Sequence, residues 1–393
     1  MTIHSGDPSI GPLVPADETL LHQAVDTFAS VGTTDINWTE KLWLQACARD
    51  GEVQALFGLG RYANRNVLDC FGGVSRGTEQ WTVRASRALH PDREHMGAGP
   101  LRYEIVEPLS AVRIVLGPTD VQPIEFDLTI TGAVPPRMED RELHRDPHAA
   151  RVVNDVVRYH QAGVADGWIE VDGVRHEVRA DGSVGTRDHS WGVRMQVGAP
   201  LRDLEPPARQ RDPKSFTSWA PWLLERPDGS RYALFHYYME SNLPGAPSRR
   251  LRGGVEAPDG SELPFTDARM DVAFDDTNRR FLGGTMHFTT ADGGERPVTV
   301  TPFGHGTGFH LGTGLYFGLD GQRHGMWRGE LHVDGDHFTD CDTPEVAKKI
   351  HQHRDCVVRV EDPVGGGVGW GSIQTIVIGG FPDYGLRLES TFI

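Results

Sequence analysis

Nine Asp-Gly pairs, starting at positions 50, 166, 172, 181, 228, 259, 292, 320 and 334, punctuate this chain. Asp-Gly between apolar runs is a strong hairpin signal, because both residues accept the left-handed backbone of a two-residue turn. Between the pairs lie runs of strand length, such as 53–59, 66–71, 80–85, 101–106, 111–116 and 124–130. Short strands joined by tight turns pair antiparallel, and such sheets remove their edges by closing into barrels or by stacking as sandwiches. The 47 glycines and 26 prolines agree with many turns and few long helices.

A chain of 393 residues has room for two domains of ordinary size. The strand pattern of the first half resumes from residue 216, and the stretch between is irregular: Gly198-Ala199-Pro200, then Glu205-Pro206-Pro207, then basic residues up to Lys214. We expect an N-terminal domain over 1–195, a linker over 196–214 and a C-terminal domain over 215–393. Leu20, Leu21, Ala24 and Phe28 fall on one stripe, which predicts a helix over 17–31 against a sheet or in a barrel mouth. Residues 138–149 read as a polar loop or lid, and 151–163 as either helix or strand. A short helix is expected over 345–353 and a closing strand over 386–393. Asp334-Gly335 reads as a hairpin turn, and the glycines of 304–314 as bends in barrel strands.

Charge excludes several partners. Lys+Arg is 39 against 55 Asp+Glu, a formal net charge of −16, which opposes nucleic acid and anionic membrane surfaces as partners. No apolar run is long enough for a membrane span. The polar N-terminus lacks a signal-peptide pattern, and four cysteines are too few for a disulfide framework. A reduced cytoplasmic protein is expected. The His, Asp and Cys residues of 332–342 and 351–356 match no zinc spacing, and no phosphate-loop or nucleophile-elbow motif occurs, so no metal or other cofactor is expected.

The richest stretch is Arg187-Asp188-His189-Ser190-Trp191-Gly192-Val193-Arg194. On a strand, Arg187, His189, Trp191 and Val193 share one face, and Asp188, Ser190, Gly192 and Arg194 the other. One face is expected to look into a cavity and the other onto neighbouring structure, unless a bulge at the glycines re-aims part of the set. Asp188 reads as a general acid or base, or as the partner of Arg187 or Arg194 in a structural ion pair. Trp191 suits an apolar ligand or a developing cation.

A second aromatic and polar run spans 232–240. Tyr232, Leu234, His236, Tyr238 and Glu240 share a face that lines either a wet cavity or the solvent. His236 and Glu240 are the candidates for a second catalytic group, and Tyr238 for a cavity aromatic.

Asp188, His189, Trp191 and Gly192 also carry a resemblance. The run Gly185 to Gly192 resembles the Asp-His-x-Trp-Gly signature of the carotenoid 1,2-hydratase and AttH-like superfamily. Leu101 to Leu109 and Gln161 to Gly173 are similar to its bacterial branch. The resemblance implies two lipocalin-like β-barrel domains and an apolar substrate held in or between them. It also implies alkene protonation or carbocation steering without a cofactor, with Asp188 as the acid and Trp191 beside it. Ser190 stands where the carotenoid hydratases have asparagine, and Arg187 precedes the aspartate; both depart from that pattern. The expectation is an all-β, two-domain, cofactor-free enzyme on a hydrophobic isoprenoid- or polyketide-like molecule. Its reaction would be hydration, dehydration or cyclisation by acid–base chemistry. Asp188, His236 and Glu240 would be catalytic, with Arg187, His189, Trp191, Arg194 and Tyr238 binding substrate. The alternatives are a carrier without chemistry and a pericyclic catalyst that only shapes its substrate.

Overall fold

The computed structural model describes residues 16, 25, 27–30, 32–48, 50–146, 151–195, 197–201, 203–205, 211–244, 246–303 and 308–389. The described chain is all-β in two antiparallel, barrel-like sheets. The first sheet is built from β1 (Trp38–Ala48), β2 (Gln54–Tyr62), β3 (Val67–Arg76), β4 (Glu79–Ala88), β5 (Gly97–Ala98), β6 (Leu101–Glu107), β7 (Ala111–Leu116), β8 (Ile124–Gly132), β9 (Arg137–Met138), β10 (Glu142–Arg145), β11 (Val152–Val171), β12 (Val174–Val178) and β13 (Ser183–Val193). The second holds β14 (Ser215–Glu225), β15 (Arg231–Ser241), β16 (Arg249–Glu256), β17 (Glu262–Phe274), β18 (Phe281–Thr290), β19 (Glu295–Pro302) and β20 (Phe309–His310). The chain then returns to the first sheet with β21 (Leu331–Phe338). It passes through the helix α1 (Pro344–Lys349) and ends in the second sheet with β22 (Arg354–Asp362) and β23 (Gly367–Ile378).

In the first sheet the order runs β21-β4-β3-β2-β1-β13-β11-β8-β7-β6-β5. It curls until β5 and β6 come back against β3, around a core that includes Leu44, Phe57, Trp81, Leu101, Phe126 and Ile169. The second sheet closes fully. β14 to β19 pair in sequence, β22 pairs with both β19 and β23, and β23 returns to β14, so eight strands complete a ring with no free edge. The pleat decides which residues fill it. Along β17, Phe265, Ala268, Met270, Val272 and Phe274 are buried between exposed neighbours, because this strand has one wet face. β14 and β15 are buried on both faces, since their outer sides meet the first sheet. Pro221 has no N–H to give, and the β14–β23 register has a gap there between Trp219 and Trp222.

Seven of the nine Asp-Gly pairs sit at turns. Asp172-Gly173 and Asp320-Gly321 have positive φ at both residues (51° and 75°, 47° and 82°), the geometry that two-residue hairpins need. Asp166-Gly167 and Asp334-Gly335 lie inside β11 and β21 instead. Asp334 is not a turn because Arg84 of the adjacent strand binds it at 2.9 Å and also binds Asp336. The ambiguous stretch 151–163 belongs to the 20-residue β11, which serves partners along both of its edges. The polar segment 138–149 contributes β10 to that strand rather than a loop throughout. Of the expected helix over 17–31, residues 25 and 27–30 are described, and 27–30 form a turn; the rest lies outside the described residues. Leu386 makes a single bridge to Phe381 and no closing strand, while 390–393 lie outside the described residues. In 304–314, residues 304–307 are also outside, and the others form β20 and a tight 3-10 turn. All four cysteines are free and buried. Among the described residues no helix is long and apolar enough to cross a membrane.

Candidate functional site

β13 is the wall that two cavities share. It pairs without interruption with β1 from Trp38↔Val193 to Ala48↔Ser183, and with β11 from Asp155↔Val193 to Gly163↔Gly185. The bulge that its glycines allow does not occur. Side chains therefore alternate strictly, and each cross-strand partner on β1 and β11 shares the face of the β13 residue that it opposes.

The odd face looks into the first barrel. Arg187, His189 and Trp191 line a cavity of about 840 Å³ with Trp38, Leu42, Leu59, Leu68, Met96, Tyr103, Val112 and Tyr159. Most of this wall is apolar. Arg61, Arg93 and Glu94 also line it, and three of its polar groups are ordered in a chain: the Tyr159 hydroxyl lies 3.2 Å from His189 Nδ1, and His189 Nε2 lies 2.9 Å from Glu40 Oε1. The hydrogen bond from His189, foremost, holds the Glu40 carboxyl below its ordinary range, with burial opposing. An ionised Glu40 oxygen accepts a hydrogen bond from His189 Nε2–H, and in the tautomer that carries this proton Nδ1 is the acceptor facing the Tyr159 O–H. Burial pushes the Tyr159 hydroxyl up, and Arg187 pulls it down.

Arg187 is 3% exposed. Its Nε donates to Gln161 Oε1 at 2.8 Å, while its Nη2 is buried without a hydrogen-bond partner. Among the described residues no carboxylate lies within ion-pair distance of it. A buried guanidinium without a counter-charge costs several kcal/mol, and this one borders an apolar cavity.

The even face looks towards the second sheet. There Asp188, Ser190, Arg194, Lys41, Trp43 and Arg158 meet Thr217, Trp219, Tyr237, Gln374 and Ile376, with Tyr316 and His353, around a chamber of about 190 Å³. Arg158 Nε stands 3.4 Å from Asp188 Oδ2 and its Nη1 3.2 Å from Glu139. Burial pushes the Asp188 carboxyl up, with Arg158 and Arg194 pulling against it. Lys41 is lowered to about 7, mainly by burial and then by Arg194. Trp43 and Trp219 meet edge to face at 5.5 Å between centroids across the joint.

The structure thus brings together Arg187, His189 and Trp191, and separately Asp188 with Arg194. Asp188 and Trp191 are not neighbours across a site; three positions apart on an unbroken strand, they face opposite ways. The ion-pair partner of Asp188 is Arg158 rather than Arg187 or Arg194. His236, Tyr238 and Glu240 join neither group. Even positions of β15 point into the second barrel, where His236 is fully buried, 2.8 Å from Ser218 Oγ and packed on Trp222 and Phe288. Burial lowers it to about 3, so it is a neutral core histidine. Tyr238 is a core residue whose hydroxyl bonds to Glu240. The odd position beside it, Tyr237, is the one that reaches the chamber. Glu40, Lys41, Trp43, Tyr159 and Arg158 complete the two cavities and were missing from the sequence reading. Their signal was the register: Tyr159 lies opposite His189, and Lys41 opposite Ser190. Among the described residues no group of three His, Cys, Asp or Glu side chains has the geometry to hold a metal ion.

Comparisons with known proteins bear on the fold. A protein of Nitrosomonas europaea assigned as AttH has a crystal structure that superposes with a TM-score of 0.51 at 11% identity, covering 86% of this chain and 92% of that one. CghA with Sch210972 aligns at 0.46 and 11%, over 88% and 89%. Kievitone hydratase from Nectria haematococca aligns at 0.42 and 9%, over 86% and 88%. The first similarity shows a shared two-barrel fold; the other two are too distant to carry an argument. No curated protein sequence matches the chain. Residues 13–387 match the profile described as "Family of unknown function (DUF8625)".

Proposed function

The chain belongs to the family of unknown function DUF8625, and from that premise we propose that it is an enzyme acting on an apolar small molecule held in the first barrel. The observation that carries this reading is Arg187, a buried cation without a counter-charge on the wall of a cavity of about 840 Å³. A ligand that suits the cavity is mostly apolar and offers one electron-rich oxygen, such as a carbonyl, to the free Nη2. Tyr159, His189 and Glu40 then serve as a proton relay of the kind in which a base is oriented by a carboxylate.

The chemistry that follows is loss or addition of water next to a carbonyl. Tyr159 takes a proton from the carbon beside the carbonyl as its own proton passes to His189 Nδ1. The electron pair moves onto the carbonyl oxygen, where Arg187 stabilises it. Collapse of that enolate expels a hydroxide one carbon further on, and the imidazolium protonates it to water through Tyr159. The reverse sequence hydrates the alkene. In this reading the proton-handling role passes from Asp188 to Tyr159 and His189, because Asp188 faces away from the apolar cavity.

Native mass spectrometry of the protein from its own host, with extraction of the co-purifying compound, tests the proposal. A bound apolar carbonyl compound that is absent from Arg187→Gln is the expected result. Tyr159→Phe should keep the ligand and lose roughly 10²–10⁴-fold in turnover. A wild-type protein that stays empty across a panel of apolar carbonyl compounds, or an Arg187→Gln variant that binds them equally well, would overturn it.

A further inference from the structure

We propose that the chamber between the two sheets is a second binding site, which holds the carboxylate of a small apolar acid between Lys41 and Arg194. It lies behind the first cavity, on the opposite face of β13, and stands independently of the enzymatic reading.

The charges of the chamber are unevenly matched. Arg158 is surrounded by carboxylates, with Glu139 at 3.2 Å, Asp188 at 3.4 Å and Glu142 at 3.9 Å. Lys41 and Arg194, by contrast, have no ion-pair partner among the described residues. The Lys41 ammonium rests over the Tyr316 ring, 4.4 Å from its centroid. Arg194 Nε and the Trp43 indole nitrogen are both buried without a hydrogen-bond partner. All three side chains are donors only. A set of unsatisfied donors around two unpaired cations is complementary to an acceptor with negative charge.

The rest of the wall selects the kind of anion. Asp188 lines the chamber, so a compact dianion placed here meets its repulsion, whereas a monoanion suits the two cations that have no ion-pair partner among the described residues. Trp43, Trp219 and Ile376 offer an apolar surface that a bare inorganic ion leaves uncovered. The chamber, at about 190 Å³, is far smaller than the first cavity. Asp188 and Arg158, on its wall, are 17% and 16% exposed, which leaves polar surface facing the chamber. Burial, and then Arg194, depress Lys41 to about 7 against the opposing pull of Asp69 and Asp188, and a bound anion would restore its charge.

Isothermal titration of the full chain with benzoate, its neutral isostere benzamide, and inorganic phosphate tests the assignment. Benzoate is expected to bind, with benzamide and phosphate at least tenfold weaker. Lys41→Gln and Arg194→Gln should each weaken benzoate by tenfold or more, with circular dichroism showing the wild-type fold. The wild-type titration stands without the variants: absence of benzoate binding, or phosphate binding more tightly, overturns the proposal. Benzoate binding that is unchanged in both variants places the acid elsewhere, at Arg187 for example, and also overturns it.

Discussion

At the scale of single residues, Asp355 shows what burial does to a carboxyl in this molecule. It is fully buried on β22 and accepts a hydrogen bond from Gln54 of the first sheet at 2.7 Å. Burial pushes it up to about 7, against hydrogen bonds that favour the ionised form. The unfolded chain releases this proton near pH 4 and the native state holds it to about 7. The native state therefore binds more protons across that window, and stability falls as pH rises through it. Asp355→Asn removes the titration. The variant should gain on wild type by a few kcal/mol between pH 4 and 8, read as a Tm difference that widens with pH. A Tm difference that is flat over that range would sink the assignment. Burial of this kind was not legible in the sequence. His236 and Asp355 are polar letters within apolar runs, and nothing in those runs tells whether a side chain finds its partner inside a barrel or on a cavity wall. Ser218 is enough to bury His236. Arg187 has Gln161 and neighbouring tyrosines but, among the described residues, no carboxylate within ion-pair distance, and that shortfall is visible only in three dimensions.

At the scale of elements, β13 carries the functional argument. The alternation of its two faces was readable from the sequence, and so was the expectation that one of them lines a cavity. The identity of the opposing faces was not. That depends on register with β1 and β11, and 151–163 carries valines that suit a helix or a strand equally. The regularity of β13 rests on glycine at position 192. Its φ is 138°, and a Cβ there would stand 2.0 Å from the Asp155 carbonyl oxygen on β11. A side chain is excluded by the backbone angle and by the close approach together. Gly192→Ala should cost about 1–3 kcal/mol and disturb both cavities, since Trp191 and Arg194 flank the position. Chemical denaturation gives the stability loss, and benzoate titration gives the effect on the chamber. An alanine variant of wild-type stability would show that β11 and β13 part more easily than this close approach implies. The long reach of β21 into the first sheet was equally hidden. Its sequence, Leu331 to Phe338, looks like any other strand of the second half, and only the pairing of Asp334 and Asp336 with Arg84 reveals where it goes.

At the scale of the whole molecule, the question is whether the two sheets act as one body, because the chamber exists only while they stay together. The apolar part of the joint includes Trp43 on Trp219, Phe71 on Phe309, and His160 stacked on Phe235 at 3.5 Å between centroids. The polar part is centred on the same His160, which β11 sends from the first sheet to Glu256 of β16 at 2.8 Å, with Glu139 at 3.4 Å on its other nitrogen. Arg158 also faces Glu139, and Arg137 stands 3.6 Å from Glu256. Burial alone would keep this imidazole neutral, but Glu256 and Glu139 outweigh it and raise the group to about 9. The sign follows. Below about pH 6.5 the ring is charged in both states and the full contribution is present. As pH rises towards and through 9, the native state must give up a proton that the unfolded chain has already lost, and the stabilisation fades. The wild-type Tm should therefore fall from pH 7 to 10. His160→Gln leaves two buried carboxylates with one fewer counter-charge, so it should start about 3–5 kcal/mol lower and respond less to pH over that range. Calorimetry distinguishes a joint from a mere contact. A single transition at pH 7 that separates into two in His160→Gln shows that the ion cluster couples the barrels. Two transitions already present in the wild type would mean that the barrels unfold independently, and that the ion cluster does not couple them.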